Sequence, residues 1–104
     1  MTQRRKAKKP AARESALVSE IIRSLRAVHG LVVRKRHGTA MGVAGDPDLY
    51  GTIGGRHFEI EVKRPGSQLT ALQAQRLREW AQAGAITGVA HTAEDALRIL
   101  GLET

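Results

Sequence analysis

Glu61 and Lys63 stand two residues apart in the run HFEIEVK, and Asp48 lies one turn upstream in GDPDLYGTI. A β-strand turns successive side chains to opposite faces, so Glu59, Glu61 and Lys63 point one way while Phe58, Ile60 and Val62 point the other. Between the two runs stands Gly54-Gly55, which suits the two-residue hairpin turn whose central residues both need positive φ. With that turn Ile53 faces Arg56, and counting outward sets Asp48 opposite Glu61 and Asp46 opposite Lys63. Directly opposed side chains share a face with Cβ atoms about 5 Å apart, so the two carboxylates lie side by side. An odd-numbered loop or a bulge would break this pairing.

Like charges placed in this way destabilise a sheet unless something positive sits between them. Asp48 and Glu61, with the backbone carbonyl of Val62 and waters, suit a hard cation such as Mg²⁺, with Mn²⁺ as a substitute. Such an ion lowers the pKa of a bound water and stabilises charge on a phosphoryl oxygen. Lys63 alongside could orient the water or offset developing charge. The chemistry expected is metal-assisted hydrolysis of a phosphodiester. The plain alternative is a strand face with ordinary surface charges, which a lone E-x-K would signify. The register that links Asp48, Glu61 and Lys63 argues against it.

These groups need a frame. From Glu14 to His29 the residues Leu17, Val18, Ile21, Ile22, Leu25 and Val28 form one helical stripe, and Gly30 ends it. LVVRKR (31–36) reads as a strand, and HGTAMGVAG (37–45) is too rich in glycine to be anything but a loop. DLYGTI and HFEIEVK form the hairpin. Leu69 to Gly84 reads as a helix with Thr70 and Gln73 at capping-box spacing, AITGVA (85–90) as a short buried strand, and Thr92 to Leu100 as a last helix. The expected class is α/β.

A chain of 104 residues is the size of one domain. Without cysteine it has neither disulfides nor a thiolate zinc site, and with no long apolar segment or signal-like start the expectation is a cytoplasmic protein outside the membrane. The net charge is +7, and Arg4, Arg5, Lys6, Lys8, Lys9 and Arg13 supply six positive charges in MTQRRKAKKPAAR. Residues 1–13 therefore read as a basic disordered arm, able to lie along phosphates or merely to stay solvated, and 14–104 as the folded domain.

G-D-P-D-L at 45–49, E-V-K at 61–63 and the glutamine opening the following helix resemble the virus-type replication-repair nuclease (VRR-NUC) domain, a branch of the PD-(D/E)XK phosphodiesterase superfamily. The similarity runs from about Glu20 to Leu100, nearly all of the folded part. It implies a restriction-endonuclease-like αβββαβ core, with a mixed central sheet flanked by helices, and Mg²⁺-dependent cleavage of DNA. It makes Asp48 and Glu61 the metal ligands and Lys63 the catalytic lysine, with roles for a first-helix glutamate and a second-helix glutamine. Free-standing viral members tend to be homodimers acting on branched DNA, including four-way junctions. A restriction-type or resolvase enzyme of the same superfamily is a neighbouring reading. From another class comes a DNA-binding module, or a nuclease subunit, with this fold and no cleavage.

Several candidates carry two readings. Glu20 matches the first-helix glutamate, with Glu14 as competitor. Gln73 matches the glutamine but equally completes a capping box with Thr70, and Gln75 is close by. Arg34, Lys35, Arg36 and Arg64 are candidates for the nucleic-acid backbone, against the reading that basic residues guard a sheet edge. His29, His37, His57 and His91 lack close metal-ligand spacing. One each of Phe, Trp and Tyr offers little stacking surface, so backbone and shape are expected to be read rather than sequence.

Overall fold

Gly54 and Gly55 form the hairpin turn with φ of 57° and 77°, and the register that they impose runs from Ile53↔Arg56 to Leu49↔Ile60. The computed structural model describes residues 10–38 and 40–102; most of the expected arm, residues 1–9, lies outside the described residues. The elements are α1 (Pro10–Arg26), β1 (Leu31–Lys35), β2 (Leu49–Ile53), β3 (Arg56–Val62), α2 (Ala71–Gln82), β4 (Ile86–Ala90) and α3 (Ala93–Ile99). This is the expected order, an α/β fold with its αβββαβ core and a final helix.

Boundaries differ where local chemistry decides them. Helix α1 starts at Pro10, inside the expected arm, because proline has no N–H to leave unpaired in a first turn and its φ is already helical. β1 stops at Lys35, which puts Arg36 beyond the strand.

The sheet order is β1-β2-β3-β4, antiparallel at the first two junctions and parallel between β3 and β4. Val18, Ile21 and Leu25 of α1, with Ala96 and Leu100 from the α3 end of the chain, pack on Val33, Leu49, Phe58, Ile60 and Val62. Helix α2 lies on the opposite face, where the Trp80 ring stacks near His57 with centroids 5.1 Å apart. β3 is therefore covered on both faces. The face that carries the acids is interior: Glu59 is 0% exposed and Glu61 2%. Alternation in the strand was legible; the helix that roofs the polar side was not.

Gly51 shows how closely the hairpin meets β1. A Cβ there would stand 1.8 Å from the Val32 carbonyl oxygen and 2.7 Å from Phe58 Cζ. A Cβ at Gly88 would first meet the side chain of Ile99, at 2.6 Å, which has rotamers to change. Gly51→Ala should cost about 3 kcal/mol because backbone must move, and Gly88→Ala about 1 kcal/mol. Urea denaturation of the two variants, expected to give that order, checks the sheet packing.

Candidate active site

Asp48 stands one residue before β2 and Glu61 one residue before the end of β3, just past the last paired rung of the ladder. The Val62 N–H donates to Asp48 Oδ2 at 2.9 Å, and the Asp48 carbonyl accepts from the Arg36 N–H at 2.7 Å. Side chain and backbone of Asp48 are thus both held. Burial, first, then a hydrogen bond with Asp48 and its charge push the Glu61 carboxyl up to about 9, with Lys63 pulling the other way and Glu14 adding to the rise. Glu61 Oε2 is buried without a hydrogen-bond partner.

With an orphan oxygen on Glu61 and a second acid beside it, ionising both acids would leave negative charge that Lys63 alone does not balance. Asp48 Oδ1, Glu61 and solvent form an oxygen-only donor set of the kind that Mg²⁺ uses while keeping several waters, so the residues fit such an ion. Among the described residues no group of three or more acidic or histidine side chains is close enough to hold a metal. A cation here would be held by the pair and by water. At Val62 the backbone N–H is tied to Asp48.

A second buried carboxylate explains why the first pair holds its place. Arg36 Nη1 donates to Glu59 Oε1 at 2.7 Å and to the Pro47 carbonyl at 2.6 Å, and Nη2 donates to Glu59 Oε2 at 3.2 Å. His57 Nε2 lies 2.6 Å from Glu59 Oε2. The guanidinium also packs 4.6 Å from the Tyr50 ring centroid and 5.8 Å from that of Trp80. Burial works against the Arg36 charge, but hydrogen bonding and the field of Glu59, with help from Asp46, outweigh it and raise the pKa. Trp80 Nε1 donates to Asp46 Oδ1 at 3.2 Å, so Asp46 is turned to α2 instead of facing Lys63.

The other sequence candidates divide. Lys63 is half-buried, its N–H on the Ala90 carbonyl at 3.1 Å and its carbonyl 2.9 Å from His91 Nδ1. Glu20 is exposed, whereas Glu14 is half-buried and acts on Glu61 through its charge. The helical wheel explains this: Glu14 falls in line with Val18, Ile21 and Leu25, while Glu20 is about 200° round from Val18. Gln73 closes the capping box, its Oε1 accepting from Thr70 N at 3.0 Å and its N–H donating to Thr70 Oγ1 at 3.1 Å. That amide oxygen is spent on the helix. Arg34 and Lys35 are exposed and Arg64 is half-exposed, but Arg36 is committed to Glu59, which removes it from the surface set. Sequence reasoning passed over Glu59 and His91. Glu59 shared the parity of Glu61, and His91 directly follows the strand paired with β3.

No protein-family model matches the sequence, and no curated protein matches it. Solved structures do. One named as a VRR-NUC domain aligns with a TM-score of 0.69 at 21% identity, covering 85% of this chain and 94% of that one. Another VRR-NUC domain protein gives 0.66 at 23% identity, covering 85% and 84%. Hjc, a Holliday junction resolvase from the archaeal hyperthermophile Archaeoglobus fulgidus, gives 0.50 at 24% identity, covering 76% and 63%. The chain has the fold of VRR-NUC domains. Among the described residues no helix is long and apolar enough to cross a membrane.

Two outcomes follow from the buried acids. Glu59→Ala leaves Arg36 with an uncompensated charge and should cost about 3 kcal/mol, read as a lower midpoint in denaturant. In metal-free protein, Glu61 keeps its proton up to about 9, whereas the unfolded chain loses it near 4.5. The folded state binds the extra proton in that window, so this group's stability is full below the lower value and lost as pH rises through the upper one. Thermal unfolding in chelator should show a decline from pH 5 to 9 that Glu61→Gln flattens.

Proposed function

We propose that the chain is a VRR-NUC-type endonuclease that hydrolyses DNA phosphodiester bonds with Mg²⁺ or Mn²⁺. The observation that carries this reading is the unpartnered, buried Glu61 oxygen beside Asp48 and within the field of Lys63. A purely structural acid so placed would have an N–H or guanidinium partner, as Glu59 has.

Asp48 and Glu61 would hold the divalent cation, which supplies Lewis acidity toward the phosphate and a more acidic bound water. Asp48 is presented at a constant height by the Val62 and Arg36 N–H groups. Lys63, anchored through its backbone to β4 and His91, brings its ammonium to the same face, where it offsets charge gathering on the phosphoryl oxygens. Glu14 adds negative field and favours cation retention. Burial of Glu61 beside the half-buried Asp48 keeps the local dielectric low, so each of these charges acts strongly.

The substrate proposed is branched DNA such as a four-way junction, in keeping with the Holliday junction resolvase among the structural neighbours. A homodimer suits it, since a single small subunit covers little duplex and a junction has paired strands to cut. A panel of labelled junction, flap and linear duplexes, incubated with Mg²⁺, Mn²⁺, Ca²⁺ or chelator, tests the reading. Wild type should cut with Mg²⁺ or Mn²⁺ and be silent in chelator. Asp48→Ala should abolish cutting, and Lys63→Met should slow it by roughly a hundredfold or more. Binding of junctions with no cleavage under any metal condition would assign the fold to a DNA-binding module.

A further inference from the structure

We infer that the groove between α1 and β1 is a phosphate track that seats the nucleic-acid backbone next to the carboxylate pair. Arg23 and Arg26 of α1 face Arg34 and Lys35 of β1 across a groove of about 590 Å³, with His37 also on its wall and Ile22 beside them. All five basic side chains are exposed. Among the described residues Arg23, Arg26, Arg34 and Lys35 have no carboxylate partner, and no acid lines the groove.

The arrangement originates in the helix period. With Val18, Ile21 and Leu25 turned into the core, Ser19, Ile22, Arg23 and Arg26 fall within about 100° of one another on the flank beside the edge strand. Sequence alone shows a flank of α1; the antiparallel return of β1 brings Arg34 and Lys35 to it. From Ser19 to Arg26 the helix rises about 10 Å at 1.5 Å per residue. Over that length one DNA strand advances about three nucleotides at 3.4 Å each. Regular positive charge with no acid in the lining suits a regular polyanion better than an acidic peptide, whose carboxylates have no such fixed spacing.

The groove and the site share a wall residue. His37 lines both it and the adjoining hollow of about 290 Å³ that contains Asp48 and Pro47. Lys35 pairs with Leu49, which pairs with Ile60, so Lys35 is two strands from β3, about 10 Å at the usual spacing. Phosphates in the track therefore flank the one at the carboxylates. The inference rests on the proposed nuclease reading for its ligand, DNA, and adds the side chains that hold the backbone.

The test measures the full-length protein on labelled four-way junction and linear duplex, in chelator, by fluorescence anisotropy over a range of salt. For R23Q/R26Q the log–log salt slope should become shallower by about 1.8, at 0.9 per phosphate contact, and affinity at low salt should fall about tenfold regardless of sequence. R23K/R26K keeps the charge and should retain most of both. An unchanged slope, a loss that lysine does not restore, or equal competition by polyglutamate would overturn the track. Cleavage by wild type with Mn²⁺ is scored separately. Cutting with an unchanged slope sinks the track and leaves the nuclease; the slope change without cutting sinks the nuclease and leaves the track.

Discussion

Two carboxylates buried side by side in one central strand are the constraint around which the molecule is built. Each ion taken from water costs several kcal/mol unless its environment replaces the lost hydration. β3 carries Glu59 and Glu61 on the same face, roofed by α2, and answers them differently. Glu59 receives a bidentate guanidinium and a histidine. Glu61 receives another acid. One is thereby a structural anchor, and the other stays protonated or waits for a cation.

The anchor also steadies the proposed cation site. By holding Glu59 and the Pro47 carbonyl, Arg36 ties the end of β1 to β3 and to the residue before Asp48, while its own N–H holds the Asp48 carbonyl. Tyr50 and Trp80 cover its flanks, and Trp80 brings in α2 through Asp46. The glycine-rich loop that leads to Asp48 could not fix the aspartate alone, because glycine leaves its backbone the most freedom to lose. A buried ion pair supplies the rigidity, even where its net contribution to stability is small.

Much of this was legible in order along the chain. The hairpin register followed from Gly54-Gly55 because only residues tolerant of positive φ fit that turn, and the pairing put Asp48 and Glu61 together before any coordinates. Thr70 and Gln73 announced a helix start by their spacing, and the cap claimed the glutamine that the resemblance had drawn toward the site. Glu20 lies exposed and Glu14 is the glutamate whose charge acts on Glu61, a difference that the buried stripe of α1 carries in its period. Arg36 read as one more surface base because its partner is far off in sequence.

Sequence by itself determined what depends on neighbours along the chain: alternation in β3, the turn, the helical period of α1, the caps, and thus which residues share a face. Tertiary structure decided what lies against each face. Packing of α2 turned an acidic face into an interior one, made Glu59 a partner for Arg36, and left one oxygen of Glu61 without any. Side-chain direction is a property of local backbone geometry, whereas desolvation and ion pairing depend on elements that only folding brings together.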